Sequence, residues 1–182
     1  MKKVIFLSAL LIQCATAFAQ LYMTRSAKVS FFSKTNMENI DGTNNEVTSI
    51  LNTGTGEVGF AVLVKSFHFD RALMEEHFNE NYMESNKFPK STFQGKITNL
   101  AKVDFKKDGR YPATVEGDLT MHGVKQHVQT AGELTILKGS ISLKGLFTIK
   151  LADYKIEIPA LVAGKIAETI EIDVNATYQP KP

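Results

Sequence analysis

Four histidines, His68, His77, His122 and His127, are the side chains of this chain best suited to metal binding or proton transfer. A zinc site uses three or four ligands at short, fixed spacings, commonly with cysteine or carboxylate partners. His122 and His127 lie on either side of Gly123, so their separation does not place them on one strand face. The spacing therefore predicts no metal site, and we expect each histidine to be a half-buried polar side chain.

Other patterns that could support catalysis or cofactor binding are incomplete. Residues 54–59 match G-x-G-x-x-G, but a dinucleotide site needs a helix to open at the glycines, whereas residues 60–64 have the composition of a strand. No serine lies in a G-x-S-x-G nucleophile turn. Glu75 and Glu76 fall on the polar side of a predicted helix, as solvated carboxylates do. These residues favour a non-enzymatic protein without a cofactor.

Residues 1–19 have the pattern of a cleaved signal peptide. Two lysines precede an apolar stretch over residues 4–17, and residues 17–19, Ala-Phe-Ala, form a small-x-small cleavage site. We therefore expect a mature, soluble chain of residues 20–182, exported to the periplasm or the medium. Cys14 could in principle be a lipoprotein cysteine, but the bulky Gln before it disfavours that alternative.

The composition of the mature chain excludes several classes of partner. Its 19 basic residues balance its 19 acidic residues once the two signal-peptide lysines are removed, so no electrostatic footprint for nucleic acid is present. The single cysteine lies in the signal peptide, so the mature chain has neither a disulfide nor a reactive thiol. No apolar stretch outside the signal peptide is long enough for stable membrane insertion.

Apolar and polar residues alternate along most of the mature chain, which is the pattern of strands with one buried face. About eight such strands, joined by short polar turns, predict a mainly β fold: an antiparallel barrel that can hold side chains or one small ligand. We expect turns at residues 36–45, 52–56, 107–110 and 138–139. The strand-like segments are residues 21–34, 46–51, 57–69, 92–98, 102–106, 113–122, 124–136, 141–151 and 169–178.

One segment changes from period two to a helical period. Over residues 70–84, apolar side chains recur at spacings of three and four, with glutamates on the other side, and Asp70 is a suitable N-cap. The helix is expected to end before Pro89. We expect this single amphipathic helix to cover one open side of the barrel, with Leu73, Met74, Phe78 and Tyr82 on its inner face.

The barrel interior is the remaining question. Gly95, Gly117, Gly132 and Gly145 all fall in the apolar register of their strands, where a glycine either permits a sharp bend or leaves space beside it. Four such glycines favour a hollow interior over a filled one. Composition alone leaves a dry core and a lined cavity as alternatives, since both use the same residues.

Several segments resemble the YceI-like family. The pieces that carry the resemblance are residues 77–95, with K-F-P-K-S-T-F-Q-G, residues 117–125, with G-D-L-T-M-H-G-V-K, and the C-terminal hairpin of residues 147–153 and 170–178. Residues 46–56 and 159–164 follow no family pattern. The resemblance implies a lipocalin-like barrel over residues 20–182 that holds a polyisoprenoid in an apolar tunnel, in the periplasm of Gram-negative bacteria, with no cofactor and no catalytic residue.

Together, the strand faces and this resemblance predict a binding protein for an isoprenoid or another long-chain apolar lipid. Two alternatives remain: a structural or interaction barrel without a ligand, and an isoprenoid-modifying enzyme with His122 as its acid-base. The oligomeric state stays open, with a homodimer among the alternatives. The expected ligand-binding residues are Phe60, Val62, Leu73, Phe78, Phe93, Val115, Leu119, Met121, Leu134, Leu143, Phe147, Ile149, Ile170 and Ile172.

Overall fold

The structure, a computed structural model, describes residues 21–181, in which eight antiparallel strands form one closed barrel. Each strand pairs with the next along the chain, and the last pairs with the first. This confirms the predicted fold class. The predicted signal peptide, residues 1–19, lies outside the described residues. The strands are β1 (Leu21–Lys34), β2 (Asn39–Asn52), β3 (Glu57–Leu63), β4 (Lys90–Ile97), β5 (Gly109–Met121), β6 (Val124–Leu137), β7 (Ser140–Lys150) and β8 (Thr169–Pro180).

Two tight hairpins connect the consecutive strands β5, β6 and β7. His122 and Gly123 have φ angles of 51° and 74° between β5 and β6, and Lys138 and Gly139 have 50° and 80° between β6 and β7. Two-residue hairpins with both φ angles positive match the right-handed twist of the flanking strands, and glycine reaches that conformation without strain. The sequence predicted a turn at residues 138–139 and a break between two strands at Gly123.

The first turn lies earlier than the sequence indicated. The chain reverses at Thr35, whose N–H donates to the carbonyl of Glu38 at 3.1 Å, and Asp41-Gly42 is part of β2. Asp-Gly is a strong turn signal, but here tertiary packing outweighs the local turn preference and keeps both residues in the strand. A Cβ on Gly42 would lie 2.5 Å from the ring of Phe31 on the paired strand, so the glycine makes room for that ring.

Two other strand predictions were wrong. Residues 102–106 are not a strand; a 3-10 turn over Leu100–Lys102 leads into an irregular loop that ends where β5 begins. Asp108 in this loop does not close a hairpin, and its carboxylate accepts the N–H of Lys138 at 2.9 Å. The strand predicted over residues 57–69 ends at Leu63, where a 3-10 turn over Val64–Ser66 takes the chain away from the sheet.

The predicted helix is present but shorter. Helix α1 runs over Ala72–His77 and continues through Phe78–Tyr82 with π-helical hydrogen bonding. Its N-cap is Arg71 rather than Asp70, and no side chain caps it. The helical hydrogen bonding ends at Tyr82, well before Pro89. Within residues 21–181, no helix is both long enough and apolar enough to cross a bilayer.

One end of the barrel is filled by side chains of the inner strand faces. We call it the closed end; the turns after β2, β4 and β6, the start of β1 and the end of β8 lie there. Its layer is almost completely buried, with exposures of 3% or less, and further apolar residues of the loop between β4 and β5 pack beneath it. The layer consists of Ala27, Val47, Leu51, Val58, Ile97, Ala113, Leu134, Ile136, Ile141, Ala176 and Tyr178.

A buried hydroxyl pair ties the closed end together. Ser49 donates to the carbonyl oxygen of Gly59 at 2.8 Å, so the hydroxyl of Tyr178, 2.8 Å from Ser49 Oγ, must be the donor to the serine. Burial raises the pKa of Tyr178 far above the usual value for tyrosine. Both polar groups are therefore satisfied inside an apolar layer, as buried hydroxyls require.

The strands separate towards the opposite end, which we call the mouth. β2 pairs with β3 only over residues 48–51, and β6 pairs with β7 only up to Gly132 and Gly145. Beyond that pair, the hydroxyl of Thr130 donates to the carbonyl of Leu146 at 3.0 Å. This widening leaves the mouth half of the barrel less tightly filled than the closed end.

Candidate functional site

A cavity of about 510 Å³ occupies the mouth half of the barrel. Its walls are the inner faces of the strands, one step above the closed-end layer: Val115 lines it while Ala113 lies beneath, and Leu143 lines it while Ile141 lies beneath. The lining is mainly aliphatic and aromatic. A volume of this size with few polar groups is typical of a small-molecule site.

A cluster of four phenylalanines forms one side of the cavity. The rings of Phe31 and Phe78 stack with centroids 5.3 Å apart, and Phe67 and Phe69 pack against both at 5.1–5.6 Å. Phe31 comes from β1, Phe78 from the helix, and the other two from the segment after β3. A β-bridge between Thr43 and His68 joins this segment to β2 where β2 has no pairing with β3. The aromatic cluster thus fills the gap between these strands.

The helix lies over the cavity as expected. Leu73, Met74, Phe78 and Tyr82 all belong to the wall, and burial raises the pKa of Tyr82 above its usual value of 10.0. Met is flexible and polarisable, so Met74 can adjust to guests of different shape.

Of the ligand-binding residues expected from the sequence, all but Leu134 lie on this wall. Leu134 is fully buried in the closed-end layer, one inward position deeper than the cavity floor. Its inward orientation was predictable from strand alternation, but its depth was not. The wall residues among them are Phe60, Val62, Leu73, Phe78, Phe93, Val115, Leu119, Met121, Leu143, Phe147, Ile149, Ile170 and Ile172.

The four inward glycines have two different roles. Gly132 and Gly145 lie on the cavity wall, and a Cβ on Gly145 would meet nothing within 4 Å. Gly95 and Gly117 instead face each other across β4 and β5, where a Cβ on either would collide with the partner strand's backbone. A Cβ on Gly132 would likewise lie 2.4 Å from the backbone carbonyl oxygen of Lys144 on the partner strand. Three of the four glycines therefore permit close strand approach, and Gly145 alone leaves space in the cavity.

The wall residues that sequence analysis missed come from strands, as Val29 and Phe31 of β1 do, and from loops. Phe67 and Phe69 were placed in a strand, and Val162 and Ile166 belong to the long connection between β7 and β8. The only sequence signal of the loop residues was apolar character in segments without a strand period. Because these segments fold over the mouth by tertiary contacts, no local pattern places them on the wall.

The mouth carries the polar groups of the cavity. Arg71 at the start of the helix forms an ion pair with Glu38 in the turn between β1 and β2. Its guanidinium also lies 3.2 Å from the sulfur of Met74. Lys165 lies on the opposite loop, and its ammonium forms no ion pair with any residue in 21–181. Since Arg71 and Lys165 are both exposed, the cavity opens to solvent at this end.

His122 connects the two segments that cover the mouth. Its Nε2 lies 2.8 Å from the carboxylate of Glu84, just after the helix, and its Nδ1 lies 3.0 Å from the carbonyl oxygen of Tyr154 in the β7–β8 connection. Both neighbours are acceptors, so an imidazole with two protons satisfies both. The ring of Phe88 packs edge-on at 4.6 Å. His122 does not belong to the cavity wall, and this argues against the acid-base alternative.

Glu84 is a charge-dependent part of this connection. The hydrogen bond from His122, assisted by the charge of Lys87, holds the pKa of Glu84 below its usual value of 4.5. A carboxyl with a depressed pKa stabilises the fold above that usual value, and the contribution is lost as pH falls through the lowered pKa.

Exchanging Glu84 for glutamine tests this assignment. The amide can still accept the hydrogen bond from His122 but carries no charge, so Glu84→Gln should be less stable than the wild type at about pH 5.5, and the difference should be smaller at about pH 3. Urea unfolding at both pH values measures the difference. A stability difference that is the same at both pH values would contradict the role of the charge.

The other ionisable groups of residues 21–181 give no sign of a metal site. No three His, Cys, Asp or Glu side chains in this range meet in an arrangement that could hold a metal ion. His127 bonds to the carboxylate of Asp118 at 3.2 Å on the outer surface, and His68 lies 3.5 Å from Glu75. Burial, with a smaller effect of the Asp153 charge, raises the pKa of Tyr154 to about 12. These are surface pairs and a buried phenol rather than a catalytic constellation.

Comparisons with known proteins agree with this geometry. A model of the YceI-like domain matches residues 22–178. A polyisoprenoid binding domain from Saccharophagus degradans, implicated in plant cell wall breakdown, has 17% identity and a TM-score of 0.78, with 90% of this chain and 99% of that chain covered. No curated protein matches the chain at a significant level.

Two further solved structures share the fold. BcnA of Burkholderia cenocepacia has 17% identity and a TM-score of 0.68 over 84% of this chain and 96% of that one. The YceI protein of Campylobacter jejuni has 16% identity and a TM-score of 0.57 over 78% and 84%. At these identities the likeness shows the barrel alone. With the family model matched over nearly all described residues, the chain belongs to the YceI-like domain family.

Proposed function

We propose that this protein is an exported carrier that holds a polyisoprenoid or a similar long-chain lipid, one molecule at a time, in the barrel cavity. The observation that carries the proposal is the cavity itself: about 510 Å³, lined mainly by apolar side chains, and filled in at one end. The polyisoprenoid binding domain with the same fold supports the choice of lipid class. The signal-peptide pattern of residues 1–19 supports a periplasmic location.

The cavity volume gives the approximate size of the guest. A dry cavity of about 150 Å³ is known to bind benzene, so 510 Å³ accommodates on the order of twenty carbon atoms, or about four isoprene units. Each buried methylene contributes about 0.8 kcal/mol, so the tail alone supplies ample binding free energy. Methyl-branched tails suit a wall of mixed aromatic and aliphatic residues, and no charged contact along the tail is needed.

The two alternatives, a barrel without a ligand and an isoprenoid-modifying enzyme, account for the cavity less well than a lipid carrier does. A structural barrel without a ligand gains nothing from empty apolar space, which costs stability in proportion to its volume. The alternative of an isoprenoid-modifying enzyme gave the acid-base role to His122, but His122 is held between Glu84 and Tyr154 and is not on the cavity wall.

Native mass spectrometry of freshly purified protein tests the proposal, together with uptake of a farnesyl or geranylgeranyl compound. The wild type should carry or take up one lipid. Phe147→Glu should lose it, because a carboxylate on the apolar wall must be desolvated when the tail enters. Leu146→Glu is the matched control, since Leu146 is the next residue on β7 and is 55% exposed on the outer face. A wild type that never carries lipid, or equal lipid loss in both variants, would contradict the proposal.

A further inference from the structure

The three most exposed large hydrophobic side chains among residues 21–181 all lie at the mouth. Leu161 is 95% exposed, Met37 69% and Leu73 60%. They come from three different segments: the β7–β8 connection, the β1–β2 turn and the helix. We call these three residues the apolar rim. Exposed apolar residues scattered singly are normal, whereas a group around one opening indicates an interaction surface.

Contacts between the segments place these residues around the same opening. A Cβ on Gly164 would lie 2.7 Å from the sulfur of Met37, so the β1–β2 turn touches the β7–β8 connection. Leu73 lines the cavity together with Val162, the neighbour of Leu161. The rim is therefore continuous with the cavity wall.

The chemistry of residues 159–164, Pro-Ala-Leu-Val-Ala-Gly, points to a specific kind of partner. None of these side chains carries a charge or a hydrogen-bonding group, and most are exposed. Part of the backbone is paired internally: Val162 donates to the carbonyl of Pro159 at 2.9 Å, and Lys165, just after the loop, donates to that of Val162 at 2.8 Å. A loop tip with apolar side chains and a partly paired backbone enters a lipid interface at lower cost than a polar loop, because hydrocarbon offers no hydrogen-bonding partner.

We infer that the apolar rim docks the protein transiently on a lipid bilayer, with Leu161 at the tip of the contact and Lys165 against anionic head groups. A protein partner would be expected to match polar or charged side chains, which this loop does not offer. A bilayer requires only apolar insertion and a cation at the head-group level, and the unpaired Lys165 meets the second requirement. The inference rests on the proposed function, because docking serves a lipid carrier. A lipid tail that passes from the bilayer through the apolar rim reaches the cavity without crossing water.

Vesicle flotation tests the docking without reference to lipid uptake. The mature protein is mixed with vesicles of phosphatidylcholine alone or with 30% phosphatidylglycerol, about the anionic content needed for a measurable surface potential. We expect the wild type to float with the anionic vesicles and Leu161→Asp to bind roughly tenfold less or weaker still. Lys165→Gln should weaken binding to the anionic vesicles roughly fivefold and leave binding to phosphatidylcholine unchanged.

The matched control is Leu137→Asp, because Leu137 is 57% exposed in the turn region of the closed end, away from the rim. It should float like the wild type. Leu161→Asp should fold normally, since Leu161 makes almost no contacts, and native mass spectrometry should still detect its lipid. If the wild type does not dock but carries lipid, only the docking inference is overturned. If the wild type carries no lipid at all, the proposed function itself is contradicted.

Three outcomes overturn the inference. These are a wild type that stays off vesicles of both compositions, a Leu161→Asp variant that floats as well as the wild type, and a Leu137→Asp variant that loses binding to the same extent as Leu161→Asp. Sedimentation velocity identifies another occupant: a dimer of the wild type that Leu161→Asp dissociates, without any vesicle binding, would assign the rim to a second copy of the chain.

Discussion

Gly145→Phe is expected to abolish lipid uptake while the barrel stays folded. Gly145 lies on the cavity wall of β7, between the inward residues Leu143 and Phe147, and a side chain at this position meets nothing within 4 Å of its Cβ. Its φ angle is not in the left-handed region, so a side chain is compatible with the backbone. The new ring therefore enters the space reserved for the guest.

The expected size of this effect follows from the displaced volume. A ring displaces about five methylenes of the tail, each worth about 0.8 kcal/mol, so binding weakens by about 4 kcal/mol, or roughly a thousandfold. Native mass spectrometry and titration with a farnesyl compound measure the loss, and Gly145→Ala is the control that adds a Cβ but little volume. We expect the thermal stability of Gly145→Phe to match or exceed that of the wild type, since phenylalanine favours strands and glycine weakens them. Unchanged uptake by a folded Gly145→Phe would show that the guest binds elsewhere.

Leu134→Ala should have the opposite pattern: a large loss of stability with lipid uptake retained. Leu134 is fully buried in the closed-end layer, beneath the cavity and not on its wall. Removing a buried leucine side chain costs about 2–5 kcal/mol, because the lost burial is compounded by the cavity left behind. Urea unfolding measures this cost.

The comparison variant is Leu119→Ala, which removes the same atoms from a half-buried position on the cavity wall. Leu119→Ala should lower the free energy of unfolding less than Leu134→Ala does, and it should weaken the binding of the lipid tail more. If Leu134→Ala loses lipid as completely as Leu119→Ala while remaining folded, then the closed-end layer is part of the binding site and its assignment as a floor is wrong.

Strand alternation was enough to predict the barrel and the inward direction of most wall residues. It works because a residue's face in a pleated strand depends only on its parity in the sequence. Depth along the barrel axis has no such local signal: Leu134 and Leu143 share the inward face and pair directly, yet Leu134 alone lies off the wall. Depth depends on how the barrel closes, which no single strand specifies.

Loops were the least predictable part of the site, and the reasons are physical. Asp41-Gly42 has the composition of a turn, but the glycine makes room for Phe31 inside a strand. Phe67 and Phe69 were included in the strand predicted over residues 57–69, but they leave the sheet to fill the gap beside β2. In each case a long-range contact with the aromatic cluster outweighs the local preference, as tertiary context commonly does for strand-forming segments.

The filled end of the barrel also has a consequence for selectivity. Because Leu51, Tyr178 and their neighbours block passage at that end, a guest must go in tip first and leave by the way it came. The distance from the closed end to the opening then sets the tail length that fits best. A shorter tail leaves part of the apolar wall uncovered, and the extra isoprene units of a longer tail protrude into water. Discrimination among related compounds should accordingly depend on the number of carbon units in the tail rather than on the functional group at the end that stays at the opening.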